Sequence, residues 1–195
     1  IVSMITNGSL LTKEKIRNWA GKIDMIGISI DAKADETNEK IGRCSKNGPL
    51  NLEELRLVTE EMHKSRIRLK INTVISKVNI NEDLLSVYEL LKPSKIKFLC
   101  VHIIENKNST SQSIVPSKAE FDGFVRKNMY KKNCELVVEN SGYMTNSYFM
   151  INPQGCVYMN DNGKEKLYGC CLEKPLIDIY DEVPLYEYKF FERYV

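Results

Sequence analysis

Short runs of β-branched and aliphatic residues alternate in this chain with stretches whose apolar positions recur at helical spacing, and that alternation limits the folds open to it. Residues 1–6 read as a strand, followed by the turn signal Asn7-Gly8-Ser9 and a helix that Thr12 caps. Residues 23–30 form the next strand. A polar segment, 31–48, leads through Pro49 to a helix from about residue 50 to 64, with Leu52, Leu55, Val58 and Met62 on one face. A third strand at 68–75 precedes a helix at 81–91, for which Asn81 is the expected N-cap, and Pro93 separates that helix from a fourth strand at 95–103. Residues 105–116 read as a polar surface loop. Ser117 opens a helix running to about residue 132, and 135–139 is a fifth strand. Strand and helix in such succession argue for parallel βαβ units with right-handed crossovers, which close into either an open doubly wound sheet or a barrel. Both architectures keep ligands at the C-terminal ends of the strands.

From residue 141 the pattern changes. Residues 148–151 and 156–159 flank Asn152-Pro153-Gln154-Gly155 and read as a hairpin. The tail from Tyr168, with Pro175 and Pro184, receives no assigned element.

Length and charge exclude several classes. The chain has 195 residues, 43% of them hydrophobic and 28% charged, which suits a globular domain with a core of its own. Its 28 basic and 26 acidic residues nearly cancel, so no global field attracts nucleic acid or a membrane. No apolar run approaches the ~20 residues of a membrane span, and no signal peptide is visible, so the expected compartment is the cytoplasm. The chain opens at Ile1 inside a strand, which is expected of a piece of a longer protein. Its six cysteines, Cys44, Cys100, Cys134, Cys156, Cys170 and Cys171, lack metal-clip spacing and are expected as reduced thiols. His63 and His102 lack ligand spacing, and no nucleophile elbow supports a hydrolase.

The informative residues lie within the strands. Side chains two apart share a face, so Lys70 and Asn72 point one way, as do Lys95 and Lys97. Strands buried on both faces should be almost continuously apolar, yet two of these carry a polar pair on one side. If those faces line a barrel, three ammonium groups converge on one cavity, and a polyanion such as a triphosphate is the natural counter-charge. The competing reading leaves the lysines on a solvated face. At the C-terminal ends, Asn7 and Ser9 flank Gly8, Ser29 and Asp31 share a face, and Arg43 sits in a glycine-containing loop where it could fork onto a carboxylate or phosphate.

The stretches ITNGSL, GISIDA, DETNEKIGR, LKINTVISKVNINED, LKPSKIKF and SYFMI occur in an order and spacing that resembles the viperin-like radical S-adenosylmethionine enzymes, across roughly residues 1–152. The resemblance implies a partial β/α barrel of the radical S-adenosylmethionine type, without its first strands, over residues 1–140, with a C-terminal hairpin extension over 141–195 that closes the active site. It implies the cofactor S-adenosylmethionine and a 4Fe–4S cluster, whose reduction of the cofactor yields a 5′-deoxyadenosyl radical. The reaction that the resemblance implies converts CTP or another nucleoside triphosphate to its 3′-deoxy-3′,4′-didehydro analogue, an antiviral chain terminator. Asn7, Ser9, Ser29 and Arg43 become candidates for holding S-adenosylmethionine, with Arg43 toward its carboxylate. Lys70, Asn72, Lys95 and Lys97 become candidates for the nucleotide, and Tyr148 matches a tyrosine that delivers a hydrogen or proton late in the reaction. The partners implied are the nucleotide and a reductant for the cluster, with no direct nucleic-acid binding.

The chain departs from the family in one respect that matters for activity: it contains no CxxxCxxC motif. Cluster cysteines are expected upstream, and the fragment by itself is expected to be inactive. Two alternatives stand beside this reading: a radical S-adenosylmethionine enzyme with a different substrate, and a non-catalytic nucleotide-binding module.

Overall fold

The computed structural model describes residues 1–46, 48–104, 113–140 and 145–189. Strands form on the β-branched runs: β1 (Ser3–Thr6), β2 (Met25–Ser29), β5 (Arg68–Ile75), β6 (Lys95–Cys100) and β7 (Glu135–Glu139). The helices α1 (Lys13–Trp19), α3 (Leu52–Lys64), α4 (Leu85–Leu91) and α5 (Lys118–Lys127) stand between them. A short helix α2 (Asp35–Lys40) and the two-residue strands β3 (Cys44–Ser45) and β4 (Gly48–Pro49) occupy the β2–α3 connection.

The sheet order is β1-β2-β5-β6-β7, following the chain without reversal, and the first three pairings are parallel. A doubly wound sheet needs a reversal of strand order, whereas crossovers of one hand in one direction put every helix on the same face. The outcome is the expected partial β/α barrel rather than an open doubly wound sheet. β1 is the sheet's edge, with Ile5 well exposed.

The helix-covered face holds the core. Ile26 and Ile28 of β2, Leu69 and Ile71 of β5, and Ile96 and Phe98 of β6 pack with Leu55 and Met62 of α3, Tyr88 and Leu91 of α4, and Phe121 and Phe124 of α5. The rings of Phe98 and Phe124 meet edge to face, centroids 5.7 Å apart.

Helix starts follow local chemistry at three places. Thr12 Oγ1 accepts from Lys15 N–H, Asn51 Oδ1 accepts from the N–H groups of Glu53 and Glu54, and Ser117 forms a capping box with Glu120. The expected cap at Asn81 is wrong. Helix α4 begins four residues later, and the N–H of Leu84 donates to Asn128 Oδ1 at 2.6 Å. Asn128 is fully buried at the end of α5, so a distant side chain supplies what the local sequence does not. Strand β6 and helix α5 also stop short of their expected ends, and most of the expected 105–116 loop lies outside the described residues.

The chain divides into two compact units, one of residues 1–100 and 116–138, the other of 101–115 and 139–195. In the second, β8 (Met150–Ile151), β9 (Cys156–Asp161) and β10 (Lys164–Cys170) form an antiparallel sheet of order β10-β9-β8. The expected hairpin is present, with Asn152 Oδ1 accepting from the N–H groups of Gln154 and Cys156. β10 and the helix α6 (Leu176–Glu182) extend it into the tail the sequence left unassigned. Asn162 and Gly163, at φ of 52° and 86°, make the β9–β10 turn, the Asn-Gly signal of a type I′ hairpin.

Phe98→Ala is expected to cost about 3–5 kcal/mol, because it leaves a cavity where the sheet meets α5. Denaturant unfolding of the variant beside the parent measures it.

Candidate functional site

The face of the sheet away from the helices is polar in adjacent rows. Gly27, Lys70 and Lys95 are register partners across β2, β5 and β6, and Ser29, Asn72 and Lys97 are partners two residues further along. Partners in a parallel ladder point to one side, so the polar pairs of β5 and β6 do share a face. Asn72 and Lys97 are 6% exposed, Lys95 is 8% exposed, and Lys70 is half-buried. The solvated-face reading of Lys95 and Lys97 therefore does not hold.

Burial of this kind requires counter-charge or hydrogen bonds. Lys95 Nζ donates to Glu135 Oε1 of β7 at 2.6 Å. Glu135 is the partner the sequence reading did not assign, although it stands on a strand face alternating with Leu136 and Val138. Asn72 is different: its Oδ1 is buried with no hydrogen-bond partner among the described residues. An amide oxygen left so costs about 1–3 kcal/mol, which a bound donor would recover.

Gly27 makes room for that side chain. A Cβ at this position would lie 3.0 Å from Asn72 Nδ2 and 3.3 Å from Ile5 Cγ1, closer than packed atoms tolerate without shifting. The glycine is a space requirement here and not a turn.

At the C-terminal ends of β1 and β2 a cavity of about 780 Å³ opens, and Asn7, Ser9, Ser29 and Arg43 all line it. The β1–α1 turn is built by its own residues. Gly8 sits at φ 85°, its N–H bonds Thr6 Oγ1, and the N–H and Oγ of Ser9 both donate to Asn7 Oδ1. A Cβ on Gly8 would press on Ile28 and Leu50 at 3.2 and 3.3 Å. Across the cavity Arg43 pairs through Nε with Asp31 Oδ2, while Asp31 Oδ1 accepts from Val74 N–H at 2.7 Å. Asp31 is 4% exposed, so the pair ties the Arg43 loop to the ends of β2 and β5. Asn79, wholly buried, completes the corner by donating to the carbonyls of Asp31 and Val74.

A smaller cavity of about 360 Å³ lies among His63, Arg68, Lys92, Tyr130 and Lys132 at the N-terminal ends of β5 and β6, where this architecture does not build sites. In the second unit, Tyr148 donates its hydroxyl to Glu139, with Oε1 at 2.8 Å and Oε2 at 2.9 Å. Glu139 is 1% exposed and was not a sequence candidate. Among the described residues no group of three or more His, Cys, Asp or Glu could hold a metal ion. With no CxxxCxxC in the sequence, the residues of this chain do not fit an iron–sulfur cluster. No helix among the described residues is long and apolar enough to cross a membrane.

The sequence is similar to curated proteins over nearly its whole length. A protein of Flammeovirga pacifica described as an S-adenosylmethionine-dependent nucleotide dehydratase is 30% identical over 191 residues, covering 97% of this chain and 65% of the relative. One of the same description from Selenomonas ruminantium is 28% identical, with 99% and 71% covered. The S-adenosylmethionine-dependent nucleotide dehydratase RSAD2 of Danio rerio is 29% identical over 157 residues, 77% of this chain and 43% of the relative. The chain thus spans about two thirds or less of the length of most such relatives. No family model matches. Among solved structures, anSMEcpe with bound AdoMet superposes with a TM-score of 0.61 at 12% identity, covering 98% of this chain and 58% of that one. A domain of pyruvate-formate lyase-activating enzyme from Bacteroides vulgatus gives 0.51 at 14% identity, covering 71% and 81%. At such identities the superpositions speak for the fold alone.

Gly27→Ala is expected to destabilise the chain by about 1–3 kcal/mol through overpacking against Asn72. Adding Asn72→Ala should restore part of that loss. A double-mutant cycle in denaturant reads the coupling, and strictly additive costs would show that the glycine does not serve Asn72.

Proposed function

Because the chain is a relative of the viperin-like S-adenosylmethionine-dependent nucleotide dehydratases, we propose that the protein it represents uses S-adenosylmethionine to convert a nucleoside triphosphate, CTP or another, to its 3′-deoxy-3′,4′-didehydro form. The observation that carries this reading is the pair of polar rows, in which Lys95 and Lys97 are buried beside Lys70 and Asn72 on the side of the sheet opposite the core. Buried cations need counter-charge, and a bound polyanion would add to what Glu135 already supplies to Lys95.

Each residue then has a task. Lys70, Lys95 and Lys97 would meet phosphate oxygens as compact point donors. The unpartnered Asn72 Oδ1 would accept from a hydroxyl or amine of the nucleotide. Asn7, Ser9, Ser29 and Arg43 would hold S-adenosylmethionine in the cavity they line. The cofactor carboxylate would share the Arg43 guanidinium with Asp31, since an arginine presents more donors than one carboxylate uses. When bound and reduced, S-adenosylmethionine supplies a radical that abstracts hydrogen. Cysteines for the cluster that reduces it would have to come from outside these 195 residues, so the chain alone would bind ligands without turnover. Tyr148, held by Glu139, has an O–H suited to returning a hydrogen or proton.

Calorimetric titration of the chain with CTP and, separately, with S-adenosylmethionine tests the division of labour. The triple variant Lys70→Gln, Lys95→Gln, Lys97→Gln is expected to weaken nucleotide binding by about a thousandfold or more, each lost charge-assisted bond being worth about 1.5–3 kcal/mol. Binding of S-adenosylmethionine should change little. Unaltered nucleotide affinity in the triple variant would remove the proposed substrate.

A further inference from the structure

Two cysteines of the second unit meet in a geometry that none of the roles above uses. Cys156 and Cys170 are register partners across the antiparallel strands β9 and β10. The N–H of Cys171 donates to the carbonyl of Gly155 at 2.8 Å, while the Gly155 N–H turns to the carbonyl of Asn152, so one ladder bond flanks the cysteine pair at 155 and 171. The neighbouring pair, 156 and 170, is then non-hydrogen-bonded. Such pairs bring their Cα atoms to about 4.5 Å, with the side chains closer than at the alternate positions. A disulfide accepts Cα separations of about 4.4–6.8 Å, a range that contains this spacing.

The thiols already interact. A hydrogen bond with Cys170 pushes the Cys156 thiol above its ordinary range, and Cys170 Sγ lies 3.7 Å from the carbonyl of Gln154. Both residues are half-buried, so a small reagent can reach them. Cys171, one residue on, lies beyond the paired stretch of β10.

We propose that Cys156 and Cys170 are a reversible dithiol–disulfide site, with a small-molecule disulfide such as oxidised glutathione as its oxidant. One cysteine thiolate attacks the external disulfide, forming a mixed disulfide and releasing one glutathione thiolate. The second cysteine displaces the other glutathione, so that the Cys156–Cys170 bond forms as the external S–S bond is consumed. Two electrons pass from the protein to glutathione, and the two thiol protons leave on the two reduced glutathione molecules. The product covalently joins β9 to β10 beside the Gly155 turn.

The test incubates the 195-residue chain across a range of oxidised to reduced glutathione, quenches in acid, blocks remaining thiols with N-ethylmaleimide and maps peptides by mass. A cross-linked peptide joining Cys156 to Cys170, lost on reduction with dithiothreitol, is the expected result. Cys171→Ser should leave it unchanged, and Cys170→Ser should leave Cys156 as a mixed disulfide with glutathione. The proposal is overturned if, in the parent chain, both thiols stay maleimide-blocked or stop at glutathione adducts throughout the range. It is equally overturned if the bridge runs through Cys171. Mapping the parent needs no variant to fold.

Discussion

The register between β5 and its neighbours is the constraint on which the rest of this structure depends. Partnering Lys70 with Gly27 and Lys95, and Asn72 with Ser29 and Lys97, sorts each strand into one apolar and one polar side. A slip of β5 by a single residue would exchange its sides, driving Lys70 and Asn72 into the core and turning Leu69 and Ile71 outward. Because that exchange would bury a charge among apolar side chains, the hydrophobic core and the candidate site specify the same alignment. Packing and chemistry are not separate here. Each fixes the position of the other.

The polar face is costly without a guest, and the chain offsets that cost unevenly. Lys95 is matched by Glu135, and Arg43 by Asp31. Such pairs return part of the desolvation of a buried charge, but they do not make it a net source of stability. Asn72 Oδ1 receives no compensation from the described residues. Sites that must receive a ligand commonly carry such incomplete satisfaction, because groups fully paired at home have little to offer a visitor.

Much of this was legible in the sequence where the governing interaction is local or periodic. Alternation within residues 68–75 and 95–98 gave the polar face, and Thr12 and Ser117 announced their helices because a cap bonds only two or three residues ahead. What stayed hidden depends on partners far along the chain. The start of α4 is completed by Asn128, and Lys95 by Glu135, separations of 44 and 40 residues that no local window spans. Arg43 was read as open to a ligand, and its present partner, Asp31, was noted only as a face-mate of Ser29. The Asn162-Gly163 turn is different, because its signal is local and legible, whereas the aromatic, proline-bearing tail beyond it lacks the alternation that would mark the strand it introduces.

The bond from Leu84 N–H to Asn128 also has a consequence for how the protein comes into being. Leu84 enters the growing chain 44 residues before Asn128, so its N–H is held by water until α5 arrives and dries the junction. The start of α4 is therefore completed only when α5 packs against it.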